Sequence, residues 1–168
     1  QRMTKDIMNR AYITPKRIVT KYAGCKNNLI KDEHYLLERG NGQSEMNRKK
    51  CCIMTSTETE KASLLLDFGS ELHGGLKLVA GSSSRREPSL VRIRFGESVG
   101  EANSSTSNSE WKVGFSTDDH AKRDIVMEIP RDGMIEIGNT GFRFVRLDLL
   151  QNNATISLKE ISAILRYR

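Results

Sequence analysis

Long apolar runs are missing from this 168-residue chain: no stretch of about 18 apolar residues occurs, so no membrane-crossing helix is expected. Cysteine is scarce, and Cys25, Cys51 and Cys52 make an odd count of three. Without a C-x-x-C spacing they argue against zinc. Cys51 and Cys52 would also point to opposite faces of an extended segment, which makes them a poor metal pair. One disulfide from Cys25 to either neighbour, in an oxidising compartment, and a reduced buried set both remain open. Helical periodicity is absent too, since no ten residues carry a convincing apolar stripe. A G-x-S-x-G nucleophile elbow does not occur, so no Ser–His–Asp arrangement built on His73 or His120 has support. Gln1 opens the chain with no basic-then-apolar leader behind it, and the expectation is either a processed secreted protein or a piece of a longer one.

The composition that remains, 37% apolar and 29% charged, reads as one soluble globular domain able to bury a core without staples. The net charge of +6 is unevenly placed. Residues 1–50 hold 12 Lys/Arg against 5 Asp/Glu, whereas residues 51–168 hold 15 against 16. The basicity therefore belongs to the N-terminal third and reads as a solvated or partner-facing segment. With no basic helix, aromatic strand motif or metal-finger spacing beside it, nucleic acid is not an expected partner.

Residues 1–60 read as an irregular N-terminal segment, with Pro15, Gly24 and "RGNGQ" (39–43) breaking it up and "RIV" (17–19) and "HYLL" (34–37) as short apolar pieces that dock elsewhere. Residues 61–168 read as a β-sandwich domain. "ASLLLDF" (62–68) is a short strand ending at the Gly69 turn signal, and "GLKLVAG" (75–81) alternates as a second. "LVRIRFGE" (90–97) alternates most plainly, with Val91, Ile93 and Phe95 inward and Arg92 and Arg94 outward toward water. "FRFVRLDLL" (142–150) is apolar on both faces, so it is either a covered central strand or bulged between Phe144 and Val145. "SVGEAN" (98–103) offers at most one helical turn. At least seven short strands with no helices between them indicate an all-β, antiparallel two-sheet sandwich.

The long polar connection between Glu97 and Asp124 ends in "STDDHAKRD" (116–124). Loops of this length often carry function. Asp118, Asp119 and His120 lie too close together to supply three ligands to one ion without backbone carbonyls, although calcium, as a structural ion, accepts such oxygen-rich loops. A sugar contact would use Trp111, the only tryptophan, as a platform, with Phe115 as a second surface and Asp119, His120 and Arg123 as polar partners. Packing of the aromatic rings with an Asp119–Arg123 ion pair, or contact with a neighbouring domain, are the alternatives. Candidate acids for glycoside hydrolysis, which needs two carboxyl groups about 5 to 9.5 Å apart, are Asp67, Glu71, Glu97, Glu101, Asp118, Asp119 and Asp124. Those beside strand ends and glycines more often accept turn hydrogen bonds. In "ELHGGL" (71–76), the two glycines after His73 read as a tight turn or a bulge where another backbone comes close.

"LLLDFGSELHGGLKLVAG", "VRIRFGESVGEA", "STDDHAKRD" and "GNTGFRFVRLDLL" together resemble the β-sandwich region N-terminal to the catalytic domain of bacterial α-L-rhamnosidases, glycoside hydrolase family 78. The resemblance runs from about Pro15 to the C-terminus. The closing "RFVRLDLL…ISLKEISAILRYR" also resembles galactose-binding-like jelly rolls. In that hydrolase family the catalytic carboxylates lie on a helical barrel beyond the sandwich, so no residue here inherits them. The resemblance thus implies a non-catalytic accessory domain of a secreted or periplasmic enzyme. Its partners would be the C-terminal catalytic domain of the same parent chain and a plant-type or bacterial glycan containing rhamnose. No cofactor is expected; the oxygen-rich loop would at most take a structural calcium ion. A free-standing carbohydrate-binding protein and a purely structural module stand as alternatives.

Overall fold

The computed structural model describes residues 10–22, 29–38, 50–103 and 123–166. Nine strands form one continuous antiparallel sheet that folds over on itself: β1 (Arg10–Ile13), β2 (Arg17–Tyr22), β3 (Ile30–Lys31), β4 (Cys52–Thr55), β5 (Ser63–Ser83), β6 (Ser89–Gly96), β7 (Asp124–Ile129), β8 (Met134–Leu149) and β9 (Thr155–Arg166). A 3-10 helix covers Glu33–Leu37, and a single helical turn, α1, covers Val99–Asn103.

The two longest strands make the sandwich, because each belongs to both layers. In the first layer, residues 63–67 of β5 lie between β2 and the end of β8, which continues through β6 to β7. In the second, residues 74–83 of β5 pair with β9, and residues 76–79 pair with the start of β8. The far edge of β9 takes β4 at one end and β1 at the other. Gly69 (φ 92) and Gly138 (φ 87) sit in the left-handed region where the long strands turn from one layer to the other. A side chain there would be strained, and at Gly138 it would also strike the Phe95 ring. The sheet register skips between Asp67 and Leu72 at the same place.

Alternation decides what lies between the layers. Leu64, Leu66 and Phe68 from the first half of β5 join Leu76 and Leu78 from its second half in one buried cluster, with Ile93, Phe95, Leu147, Leu158 and Ile161. Phe142 meets Phe68 and Phe95 edge to face, at ring separations of 5.8 and 5.0 Å. Each such side chain contributes about 1.5–3 kcal/mol by leaving water.

Several details differ from the sequence reading. "ASLLLDF" and "GLKLVAG" are halves of one 21-residue strand rather than two strands with a turn between, because pairing with β8 continues past the bend. Within the stretch read as irregular, the described residues contribute β1 to β4 to the sheet edges, and "RIV" lies in β2, paired with β5. Phe142 and Val145 both face the main core while Phe144 lies on the opposite face, packed with Leu65 and Ala102. The strand is therefore covered on both sides and also changes phase between residues 142 and 145. The short turn α1 supplies part of that cover. Arg92 and Arg94 point away from the main core but are not in water, being only 7% and 6% exposed. Arg92 makes a two-pronged pair with Asp124 at 2.8 and 2.6 Å, and Arg94 holds Asp148 at 2.6 Å. Buried charge is tolerated only when paired this closely.

Candidate functional site

The bend of β5 and β8 gathers the most unusual electrostatics of the described residues. At its centre is Asp67, whose side chain is almost fully buried. Its carboxylate accepts the Gly69 N–H at 2.7 Å, Nε of Arg17 at 2.9 Å, and Nε and Nη2 of Arg143 at 2.9 and 3.1 Å. Hydrogen bonding from Arg143, helped by Gly69, Arg17 and the Arg143 charge, outweighs burial and holds its pKa down at about 2. The Arg143 guanidinium in turn lies over the Phe144 ring, 5.0 Å from its centre. Arg17 and Arg143 keep 57% and 40% of their side chains exposed. One edge of each is thus fixed by Asp67 while the rest stays open to solvent.

Three carboxylates continue this strip. Glu71 follows the bend on β5, Glu97 follows β6, and Glu101 rides on α1. Glu71 and Glu97 meet over Gly141, where a Cβ would lie 3.4 and 3.3 Å from their Oε2 atoms. Lost solvent contact, then the Glu97 charge and a hydrogen bond shared with Glu97, raise the Glu71 carboxyl above its ordinary range. Glu101 is placed by local sequence: Ser98 Oγ accepts the Glu101 N–H at 3.1 Å, and Glu101 Oε1 accepts the Glu97 N–H at 2.7 Å. This is a variant of the capping box, in which a hydroxyl and a carboxylate satisfy the free amides at a helix start. Arg123 closes the group. Its Nη2 donates to Glu101 Oε1 at 2.6 Å, while Nη1 lies 3.4 Å from Thr140 Oγ1 and 3.8 Å from Glu97 Oε2.

The outcome is a strip of three guanidiniums and four carboxylates whose order is set by backbone, with fixed donors and acceptors facing solvent. Such groups can bind vicinal hydroxyls in pairs. Asp67 and Glu101 are both committed to arginine partners, and Glu71 and Glu97 stand side by side over Gly141. Among the described residues, no three His, Cys, Asp or Glu side chains come together in a way that could hold a metal ion.

Of the residues expected to contact sugar, Arg123 takes its place in this strip. Trp111, Asp119 and His120, with Phe115 and Asp118, lie outside the described residues. Asp124, at the start of β7, pairs with Arg92 of β6 and is not an isolated acid. His73 stands opposite Gly141 in the middle of β5, and the following glycines mark a close backbone approach: a Cβ on Gly74 would lie 1.8 Å from the Ile164 carbonyl oxygen. Sequence reasoning missed Arg17 and Arg143 as site residues: both lie in strand segments it read for their apolar positions, and no spacing along the chain links either to Asp67. The capping pattern Ser98–Glu101 was a local signal for the placement of Glu101.

No protein-family model matches the sequence, and no curated protein matches it. Solved structures do share the fold. A rhamnosidase from Klebsiella oxytoca with rhamnose bound superposes with a TM-score of 0.54 at 15% identity, over 96% of this chain and 31% of that one. A fucose-binding module from Streptococcus pneumoniae superposes at 0.53 and 11% identity, over 94% and 96%. A serum f-lectin (fucolectin) from striped bass, Morone saxatilis, does so at 0.53 and 14% identity, over 88% and 45%. The chain thus spans about a third of the rhamnosidase and nearly the whole of the bacterial module. At these identities the likeness is one of fold, and the fold is the one the sequence resemblance implied.

Proposed function

We propose that this chain is a carbohydrate-binding β-sandwich that serves as a non-catalytic accessory domain of a secreted α-L-rhamnosidase-like glycoside hydrolase. The observation that carries the reading is the solvent-facing strip from Arg17 to Glu101, in which buried Asp67 and the capped turn α1 fix charged donors and acceptors before any ligand arrives. Preorganisation of this kind lowers the ordering cost of binding. The shared fold supports the choice of ligand class, since its neighbours include a rhamnosidase with rhamnose bound and a fucose-binding module. In this reading the sandwich holds a rhamnose-containing glycan for a catalytic domain elsewhere in the same parent chain. A free-standing carbohydrate-binding protein is the second reading, favoured by the match to 96% of the pneumococcal module.

Calorimetric titration with L-rhamnose, L-fucose and an α-rhamnan hexasaccharide tests the proposal. Saturable heat with at least one of them is expected, weakened about tenfold in Arg123→Ala or Glu97→Gln. Replacing calcium by a chelator should leave the affinity unchanged. Absence of saturable binding to all three would refute sugar binding in favour of a structural module. Release of rhamnose from an aryl-rhamnoside, abolished by mutating an acid between residues 60 and 130, would refute the non-catalytic assignment.

A further inference from the structure

The outer face of the second layer carries a different feature. Leu76, Leu78, Ile161 and Ala163 face the core, so Lys77, paired with Ser162 and Glu136, faces outward. At the edge of this face stands Tyr12 of β1, paired with Ile164. Tyr12 is 43% exposed and, with Met134 at 53%, is one of two large apolar side chains left exposed among the described residues. Its ring is fixed from two directions. The Lys77 ammonium lies 4.8 Å from the ring centre, and Arg10 Nη1 donates to the phenol oxygen at 3.3 Å.

Those cations are themselves held. Arg10 reaches Glu136 at 3.0 and 3.3 Å, and Lys77 lies 3.8 Å from Glu160, which also accepts the Ser162 hydroxyl at 2.6 Å. The Lys77 side chain is 23% exposed while Tyr12 is 43% exposed, so the ammonium over the ring is partly covered and Tyr12 still presents surface to solvent.

We propose that this face, centred on Tyr12, is a separate stacking platform for a neutral oligosaccharide chain. Four properties select that ligand. The ring is already ordered, so stacking a second flat surface on it costs little side-chain entropy. A cation beneath an aromatic ring uses one face only and leaves the other for C–H groups. The charges flanking it cancel, two cations against two carboxylates, so nothing here draws phosphate or nucleic acid. Arg10 at the phenol, with Glu136 and Glu160 held by the two cations that touch the ring, adds donors and acceptors of the kind that meet sugar hydroxyls. The platform shares no residue with the Arg17–Glu101 strip and extends the chain from one glycan-contacting surface to two.

The test is amide-resolved NMR of the chain titrated with an α-rhamnan hexasaccharide and with cellohexaose. Saturable shifts at Tyr12, Lys77 and Glu160 with at least one hexasaccharide are expected. Tyr12→Ala should weaken them about tenfold while Tyr12→Phe, which keeps the ring, retains most of the affinity. Wild-type mapping needs no variant, so it decides even where Tyr12→Ala proves unstable. The proposal is overturned when neither sugar moves these residues, when the shifts survive Tyr12→Ala, or when they follow protein concentration instead of sugar, which would make the face a self-association surface. Shifts confined to Glu97 and Arg123 would overturn the platform and leave the strip standing; shifts confined to Tyr12 and Lys77 would do the reverse.

Discussion

Replacing Asp67 by asparagine removes one charge from the bend while keeping its shape. In the wild type the carboxylate is almost fully buried and accepts four hydrogen bonds, three of them from guanidinium groups. Its pKa falls from an ordinary 3.8 to about 2. A depressed carboxylate pKa stabilises the fold above the unfolded value, and that stabilisation is lost as the pH falls through the folded value. A shift of this size corresponds to at most about 2 kcal/mol. Because Arg17 and Arg143 are largely exposed, solvent screens the pairs and a loss between about 1 and about 2 kcal/mol is expected for Asp67→Asn at about pH 6. That equals a drop of about 5 °C in Tm. Urea unfolding of both proteins across the acid range is the assay. The gap between them should be constant above about pH 4 and shrink toward zero near about pH 2. A gap of the same size at both ends would refute the charge argument, and no gap at all would show that Asp67 does not organise the bend.

Four other outcomes follow from named contacts. Asp148→Ala leaves Arg94 and Arg146 without the carboxylate they hold at 2.6 and 2.9 Å; a loss of about 3 kcal/mol in urea unfolding is expected, and a loss below about 1 kcal/mol would contradict it. Gly74→Ala forces a methyl into the Ile164 carbonyl and should abolish soluble folded protein, whereas Gly100→Ala, with open space around it, should stabilise α1 by about 0.5–1 kcal/mol in the same assay. Glu71 should titrate by NMR above an ordinary glutamate and return toward it in Glu97→Gln. Since its folded pKa is the higher one, the wild type should gain stability over Glu71→Gln as the pH drops below that value. Cys52 is fully buried and its thiol is pushed up to about 12; mass mapping after a neutral thiol reagent should find it unmodified until the chain unfolds.

The alternation in "LVRIRFGE" and the absence of helical stripes were enough to define an all-β sandwich, because a period of two is a local property of a strand with one buried face. Resemblance of four segments pointed to the same fold that solved structures share. The placement of Glu101 was also written locally, in a Ser98–Glu101 cap that the reading of "SVGEAN" as one helical turn passed over.

Other features depended on residues far apart in the chain. That β5 runs unbroken through Gly69 follows from its pairing with β8, about seventy residues later. Arg92 and Arg94 alternate like solvent-facing residues, and pairing with Asp124 and Asp148 on the neighbouring strands makes their burial tolerable. The strip itself joins Arg17, Asp67, Glu97 and Arg143 from four strands or their ends, and the platform joins Tyr12 to Lys77 across β9. The sequence by itself determined the class of fold and the alternation of the strands from Ala62 onward, because a period of two is set by near neighbours, whereas the edge strands β1 to β4 and the continuity of β5 came only from pairing. Tertiary structure alone decided which charges meet, because sheet register brings together residues whose separation along the chain holds no trace of their contact.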